Sequence, residues 1–261
     1  MKLGLAGRVC LVMGASGGLG GAVARVLAAE GASVAGGGAS LDRLAETARS
    51  MAEGGLQLLP VKADLRQPEK LAEAVAHVRQ ELGPIEILFN SSGGPPPGPT
   101  ANVSLEEWRS RFDEMAAALF HLTDLVLPDM RAEKWGRIVT STSSGVIAPI
   151  PNLGLSNTLR SAVLGWSKSL AREVAADGIT VNVVVPGRID TDRVRRLDEA
   201  KATRENRTVE EVKASSVATI PAGRYGLPLE YANCVAFLAS ERASFVTGSI
   251  LRVDGGMLAN I

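Results

Sequence analysis

The 261-residue sequence is poor in cysteine and histidine, the residues that most often build disulfides and metal sites. Its two cysteines, Cys10 and Cys234, lie far apart in separate apolar segments, which predicts buried thiols in a reducing compartment rather than a disulfide framework. The two histidines, His77 and His121, form no ligand cluster with them, so the sequence predicts no metal site.

An excess of charge of one sign is also missing from the chain. The 28 Lys and Arg residues balance 28 Asp and Glu residues, and the basic residues are scattered, so neither a nucleic-acid partner nor a membrane surface is predicted. No apolar run approaches the roughly 18 residues of a membrane span. The first residues lack the long apolar core and the cleavage site of a secretion signal. We therefore expect a cytoplasmic protein.

The chain alternates strand-length apolar runs with helical patterns, which is typical of an α/β fold. Strands are predicted at 9–13, 33–36, 56–63, 85–89, 137–141, 179–185 and 249–253. Helices are predicted at 19–30, 41–52, 68–82, 105–127, 156–176 and 230–239. Because the strands show no polar alternation, both of their faces are expected to be buried in a parallel sheet. We predict one Rossmann-like domain over 1–261, a doubly wound parallel sheet of about seven strands with helices on both faces.

One segment interrupts this alternation. Residues 190–219 are rich in charge and weakly periodic, and they separate the predicted strand at 179–185 from the next predicted helix. Insertions of this length are often functional, so we predict a helical flap that acts as a substrate lid.

A glycine-rich turn, Gly14 to Gly20, follows the first predicted strand directly and precedes a helical pattern. Glycines allow a tight turn and give a phosphate close access to backbone N–H groups at the start of a helix. This placement favours a dinucleotide-binding turn over a turn without a ligand. The spacing of Gly14, Gly18 and Gly20 differs from the Gly-x-Gly-x-x-Gly fingerprint, and no Gly-Lys-Ser or Gly-Lys-Thr of a P-loop follows.

That spacing, together with later motifs, resembles the short-chain dehydrogenase/reductase family over nearly the whole chain. The further motifs are Asn90-Ser91-Ser92-Gly93, Gly136-Arg137-Ile138-Val139, and the segments 167–173, 186–191, 246–248 and 253–256. Among these relatives the chain looks most similar to 3-oxoacyl-carrier-protein reductases, which reduce a β-keto thioester with NADPH and are usually tetramers. The resemblance implies a small-molecule substrate and a homo-oligomer, a dimer or a tetramer, with residues 105–127 and 156–176 as its contact surface.

The resemblance also implies which residues hold the cofactor. They are Gly14, Ser16, Gly17, Gly18, Leu19, Gly20, Ser40, Asp64, Leu65, Asn90, Ser91, Gly93, Pro186, Gly187, Ile189 and Thr191. No acid follows the second predicted strand to hold ribose hydroxyls as in NAD enzymes, while Ser16 and Ser40 are placed to donate to a 2′-phosphate and Arg43 lies one turn further on. We therefore favour NADP over NAD. Loss of cofactor binding is the alternative, since Met13 stands where the family usually has Thr.

The family's catalytic group is an Asn, a Ser, a Tyr and a Lys, and only the Ser is kept by the alignment of motifs. Ser143 falls on the Ser, Ser156 on the Tyr, Arg160 on the Lys and Met115 on the Asn. A serine hydroxyl is far less acidic than a phenol, and arginine does not release a proton near neutral pH. We predict that Ser143, Ser156 and Arg160 form an atypical catalytic site, with water between them as the proton source. Arg160 beside Ser156 indicates either an anionic substrate group or a changed reaction.

Three functions remain open at this point. The first is an atypical NAD(P)(H)-dependent oxidoreductase that acts on a carbonyl or alcohol substrate of a 3-oxoacyl-like kind. The second is an inactive relative that serves as a cofactor-sensing or scaffold subunit. The third, a hydrolase, lacks a base placed to activate Ser143. Tyr225 is expected to be structural, His121 an ordinary histidine, and Met115 part of a buried helix stripe that includes Trp108 and Phe112.

Overall fold

The sheet of this protein has seven parallel strands in the order β3-β2-β1-β4-β5-β6-β7. The computed structural model describes residues 2–260, so the predicted domain over 1–261 extends one residue beyond it at each end. The strands are β1 Val9–Met13, β2 Ser33–Gly38, β3 Leu59–Lys62, β4 Ile87–Asn90, β5 Gly136–Ser141, β6 Ile179–Pro186 and β7 Ile250–Val253. Their neighbours pair in parallel throughout, which confirms the doubly wound fold.

Helices cover both faces of the sheet. They are α1 Gly18–Ala29, α2 Leu41–Glu53, α3 Leu71–Leu82, α4 Leu105–Phe112, α5 Ala118–Ala132, α6 Gly154–Val174, α7 Asp192–Glu205, α8 Val209–Val217 and α9 Pro228–Ala239. One apolar core lies between the sheet and α1, α2 and α9. A second core lies between the sheet and α3, α5 and α6. The strands are buried by both layers, which explains why their sequences lack polar alternation.

The strand order reverses at β1, because β2 lies on one side of β1 and β4 lies on the other. Connections leave these two strands toward opposite faces, so a crevice opens at their carboxyl ends. Gly14 and Ser91 follow β1 and β4 and adjoin there, since a Cβ on Gly14 would lie 3.5 Å from Ser91 Oγ. The fold therefore places the glycine turn beside the Asn-Ser-Ser-Gly segment.

The single helix predicted over 105–127 is divided in the structure. A π-helical turn at Asp113–Ala117 separates α4 from α5, and its wider turn changes which residues face the core. Met115 is 2% exposed and contacts Leu155 and Leu159 of α6, as expected. Phe112 is 39% exposed, so its predicted place in the buried stripe is wrong.

Residues 190–219 form the two helices α7 and α8, the second opened by a capping box between Thr208 and Glu211. Asp198 of α7 is buried and accepts hydrogen bonds from Arg188 Nη1 at 2.5 Å and from Tyr225 Oη at 2.8 Å. This contact ties α7 to the segments before and after the flap, and it gives Tyr225 the structural role expected of it. Within residues 2–260, no helix is both long and apolar enough to cross a membrane.

Candidate active site

A cavity of about 500 Å³ occupies the crevice at the carboxyl ends of the strands. The glycine turn forms one end of it, and Ser143, Ser156 and Arg160 line the other. The β6–α7 connection and the first turns of α7 line it as well, including Thr191 and Arg193. One cavity therefore joins the predicted cofactor turn to the predicted catalytic residues.

The glycine turn has the shape of a phosphate cradle. Gly17 and Gly18 adopt φ values of 143° and 55°, which side-chain-bearing residues rarely adopt. A Cβ on Gly20 would lie 2.3 Å from the carbonyl oxygen of Gly14, so only glycine fits there. Helix α1 begins at Gly18 with no acidic residue in its first turn, and its first N–H groups have no carbonyl partner within the helix. The turn therefore fits the diphosphate of a dinucleotide.

The glycines at the end of β2 are closely packed against the segment of β1 and the turn that follows it. A Cβ on Gly37 would lie 2.6 Å from Met13 Sδ, and a Cβ on Gly36 would lie 3.0 Å from the Cβ of Ala15. Met13 is 1% exposed, so its side chain fills the space above Gly37. The nearest cation is Arg43, whose Nη2 donates to the carbonyl oxygen of Ser16 at 3.4 Å. This end of the cavity therefore offers a guanidinium and no carboxylate from β2.

Ser143 presents its hydroxyl as a donor. Its Oγ accepts a hydrogen bond from the backbone N–H of Gly145 at 3.2 Å, within the turn that follows β5. Because the oxygen already accepts, the hydroxyl proton is available to a group in the cavity. Ser156 lies one helical turn before Arg160 on α6, is 3% exposed and lines the same cavity.

Arg160 is buried and is bonded to the protein backbone. Its two terminal nitrogens donate to four carbonyl oxygens, those of Ser92, Gly93, Ser141 and Thr142, at 2.9–3.4 Å. Burial first, and then the positive charge of Arg193, lower the pKa of the Arg160 guanidinium to about 10, so it stays charged at neutral pH. The guanidinium that was expected to face an anionic substrate group lines the cavity and also joins the segment after β4 to the end of β5.

A second buried pair lies beneath Arg160. Tyr231 of α9 is fully buried, and its hydroxyl donates to Ser141 Oγ at 2.8 Å. Burial raises the pKa of the Tyr231 phenol, so it remains protonated. Ser141 itself lines the cavity, and Tyr231 therefore supports a polar group at the cavity floor. No sequence motif marks this pair, because its members are 90 residues apart in the chain.

The structure brings most of the predicted site residues together. Those that line the cavity are Gly14, Ser16, Gly17, Gly18, Leu19, Gly20, Ser91, Gly93, Ser143, Ser156, Arg160, Pro186, Gly187, Ile189 and Thr191. The others lie outside its lining: Ser40, Asp64, Leu65 and Asn90.

Each of the residues outside the lining has a local contact. Ser40 caps α2, and Leu65 packs on the second core. Asp64 accepts three hydrogen bonds from Arg66, which lower the pKa of its carboxyl. Asn90 is fully buried and donates to Thr123, while its Oδ1 has no partner in the described part of the chain.

Comparison with known proteins identifies the class of this protein. A family model described as enoyl-(acyl carrier protein) reductase matches residues 14–258. The chain belongs to the short-chain dehydrogenase/reductase family, as the motifs indicated.

Particular relatives cover almost all of the chain. The 3-oxoacyl-acyl-carrier-protein reductase of Escherichia coli is 36% identical over 253 residues, which are 96% of this chain and 97% of that protein. The L-sorbose reductase of Gluconobacter frateurii, solved with NADPH and L-sorbose, is 32% identical with a TM-score of 0.94 over 100% of both chains. Actinorhodin polyketide ketoreductase, solved with NADPH, is 32% identical with a TM-score of 0.91 over 96% of this chain and 97% of that one.

Proposed function

We propose that this chain is an NAD(P)(H)-dependent oxidoreductase that interconverts a carbonyl and an alcohol, with NADP(H) as the favoured cofactor. The observation that carries the proposal is the single cavity, which joins the glycine cradle to the Ser143, Ser156 and Arg160 wall. NADPH in the solved structures of two similar reductases supports the choice of cofactor. Arg43 beside Ser16 supports it as well, because a guanidinium suits a phosphate.

Ser143 and Arg160 have different roles at the reacting carbonyl. When bound, the nicotinamide supplies or accepts the hydride. Ser143 donates its hydroxyl proton in a hydrogen bond to the substrate oxygen, since its own oxygen is already bonded to Gly145 N–H. Arg160 adds a fixed positive charge at the cavity floor, which favours negative charge developing on that oxygen. Neither residue releases a proton near neutral pH, so the alkoxide takes its proton from a water molecule in the cavity, and the hydroxide that remains takes a proton from bulk solvent.

A second candidate function is an inactive cofactor-sensing or scaffold subunit. It is favoured by the hydrogen bonds of Arg160 to four backbone carbonyls, because such an arrangement is structural. With Ser156 and Arg160 in place of the family's Tyr and Lys, this wall also has no side chain as acidic as the family's tyrosine. Turnover of any ketone or alcohol by the wild-type protein, abolished by Ser143→Ala, would exclude this candidate.

We further propose that the protein is a homo-oligomer, a dimer or a tetramer, through the face formed by α4, α5 and α6. Phe120 stacks on Trp166 with 4.5 Å between the ring centroids, and Phe112 contacts Phe120 edge-on. Leu105, at the start of α4, is 64% exposed. An exposed apolar surface of this kind is typical of protein interfaces. Sedimentation of the wild type and of Phe112→Glu tests the proposal, and a wild-type monomer would refute it.

The first experiment is a calorimetric titration with NADPH and then with NADH. Binding of NADPH in the micromolar range, tighter than that of NADH, is the expected result. If neither nucleotide binds detectably, the oxidoreductase and the cofactor-sensing proposals are both refuted, because both require the glycine cradle to bind a nucleotide.

The second experiment restores the family's usual residues in the catalytic wall. The double variant Ser156→Tyr with Arg160→Lys is expected to gain carbonyl reductase activity, since a phenol beside an ammonium is a suitable acid. Each single variant is the matched control, because a tyrosine without the lysine or a lysine without the tyrosine supplies half of that pair. No gain in the double variant would show that the rest of the cavity has diverged from that chemistry.

A further inference from the structure

The charged groups that line the cavity are unbalanced. Five arginines line it in the described part of the chain, and Asp192 is the one acidic residue among them. The arginines are Arg43, Arg160, Arg188, Arg193 and Arg196. The carboxylate of Asp192 is already bonded to Arg195, which does not line the cavity. A cavity with this excess of positive charge attracts an anionic ligand.

Two of these arginines have other partners that account for them. Arg188 bonds the buried carboxylate of Asp198 at 2.5 Å. Arg43 lies at the glycine turn, where it contacts the carbonyl of Ser16. Arg160, Arg193 and Arg196 remain, and none of them forms an ion pair within residues 2–260. Arg43 forms no ion pair in this part of the chain either, but the proposed function assigns it to the cofactor, so these three are the unpaired positive charges left for a substrate.

Arg160 and Arg193 are held against consecutive glycines. Nη2 of Arg160 donates to the carbonyl oxygen of Gly93 at 2.9 Å, and Nη1 of Arg193 donates to that of Gly94 at 3.3 Å. A Cβ on Gly94 would lie 2.1 Å from Arg193 Nη2, so the guanidinium rests directly on this glycine. The positive charge of Arg193 acts on Arg160, and neither is paired with a carboxylate in the described residues, so their repulsion is relieved when an anion binds near both.

Donors for that anion come from α7. Both terminal nitrogens of Arg160 donate to backbone carbonyls. Arg193 donates one hydrogen bond, to the carbonyl of Gly94, so its other N–H groups are available to a ligand. Arg196 follows Arg193 by three residues, so the two side chains lie on the same side of α7 and both line the cavity. Arg193 is therefore the residue best placed to bind an oxyanion in a bidentate manner.

We propose that the substrate carries an oxyanion group, a carboxylate or a phosphate, which Arg193 and Arg196 of α7 bind in the field of Arg160. This inference rests on the proposed function, because the anion belongs to the carbonyl or alcohol substrate of that reaction. It assigns residues 190–219 a recognition role: α7 supplies the binding charge, while Ser143, which lines the same cavity, bonds the reacting oxygen.

The test uses two pairs of small ketones that differ in charge. Acetoacetate is compared with methyl acetoacetate, and dihydroxyacetone phosphate with dihydroxyacetone, by calorimetry on protein saturated with NADP+. At least one anion is expected to bind about tenfold or more tightly than its neutral partner, and less tightly as salt is added. The preferred pair tells a carboxylate from a phosphate. Equal binding within both pairs would overturn the proposal.

Three variants decide which arginines are responsible. Arg193→Gln removes the charge, and Gly94→Ala displaces the guanidinium without removing it, so both are expected to abolish the preference for the anion. Arg195→Gln is the matched control, because Arg195 is an exposed arginine of the same helix, as Arg193 is, but it does not line the cavity and is paired with Asp190 and Asp192. An equal loss in Arg195→Gln would overturn the proposal, since only the net charge of α7 would then matter.

The affinity for NADP+ is measured first in all four proteins and is expected to be unchanged. A loss confined to NADP+ binding would overturn the inference and assign Arg193 to the phosphates of the cofactor. If the wild type binds no nucleotide, the proposed function fails by itself. The same pairs are then titrated into the nucleotide-free protein, where an anion preference lost in Arg193→Gln supports the anion site and equal binding refutes it.

Discussion

The buried hydrogen bond between Tyr231 and Ser141 predicts that removing either partner destabilises the fold, and that the two losses in the free energy of unfolding differ. The two hydroxyl groups are 2.8 Å apart, but their surroundings differ, because Tyr231 is fully buried and Ser141 lines the cavity. Tyr231→Phe removes one bond and leaves a serine hydroxyl that cavity water can reach. We expect a loss of about 1 kcal/mol in the free energy of unfolding, the usual net worth of one such bond.

Ser141→Ala removes the acceptor and leaves the buried Tyr231 hydroxyl without a hydrogen bond. The Tyr231 hydroxyl then has no partner and no access to water, so the desolvation penalty of the group adds to the lost bond. We expect about 2–3 kcal/mol, and the double variant is expected to be more stable than Ser141→Ala alone, because removing both polar groups removes that penalty.

Thermal unfolding at one fixed protein concentration measures these differences. At roughly 2–4 °C per kcal/mol for a domain near this size, Tyr231→Phe lowers the Tm by about 2–4 °C and Ser141→Ala by about two to three times as much. The fixed concentration is needed because assembly changes apparent stability. A Ser141→Ala protein more stable than Tyr231→Phe, or a double variant whose losses simply add, would refute the reasoning.

Three further predictions concern the cofactor end and the flap. Gly20→Ala places a Cβ 2.3 Å from a carbonyl oxygen of the turn and is expected to abolish nucleotide binding in calorimetry, whereas Gly165→Ala on α6, where a Cβ meets open space, should leave it intact. Arg43→Gln is expected to weaken NADPH binding about tenfold and NADH binding little, since it removes a charged donor to the 2′-phosphate; an equal effect on both nucleotides would contradict this role. Asp198→Asn should speed amide hydrogen exchange in α7, because it weakens the contact that holds the flap, and unchanged exchange would count against that contact as an anchor.

Much of the fold could be predicted from periodicity because the central strands are buried on both faces and most helices outside residues 190–219 have one apolar side. Both ends of β1 and the start of β2 match the predicted runs, but β3 begins at Leu59 rather than at 56, since pairing with β2 starts there. The π-helical turn at Asp113–Ala117 could not be predicted, because an apolar stripe does not reveal one extra residue in a helix.

The cofactor end of the site was predictable from short motifs, whereas the contacts of its catalytic wall were not. Arg160 sits at the position that the motifs indicated, but its four carbonyl partners come from segments up to 68 residues away. Arg193 lies just beyond the 186–191 motif, so no pattern marked it, and only the fold brings it against Gly94. Local sequence shows which residue types are present, and long-range packing decides what they touch.

The close contact between Met13 and Gly37 restricts the order in which this site can change. Any side chain at position 37 must compete with the Met13 thioether for the same space, and a shorter residue at position 13 would leave a void until position 37 grew. The two positions are therefore coupled in evolution and in engineering. A lineage, or a library, that samples them one at a time will reject substitutions that would be accepted together.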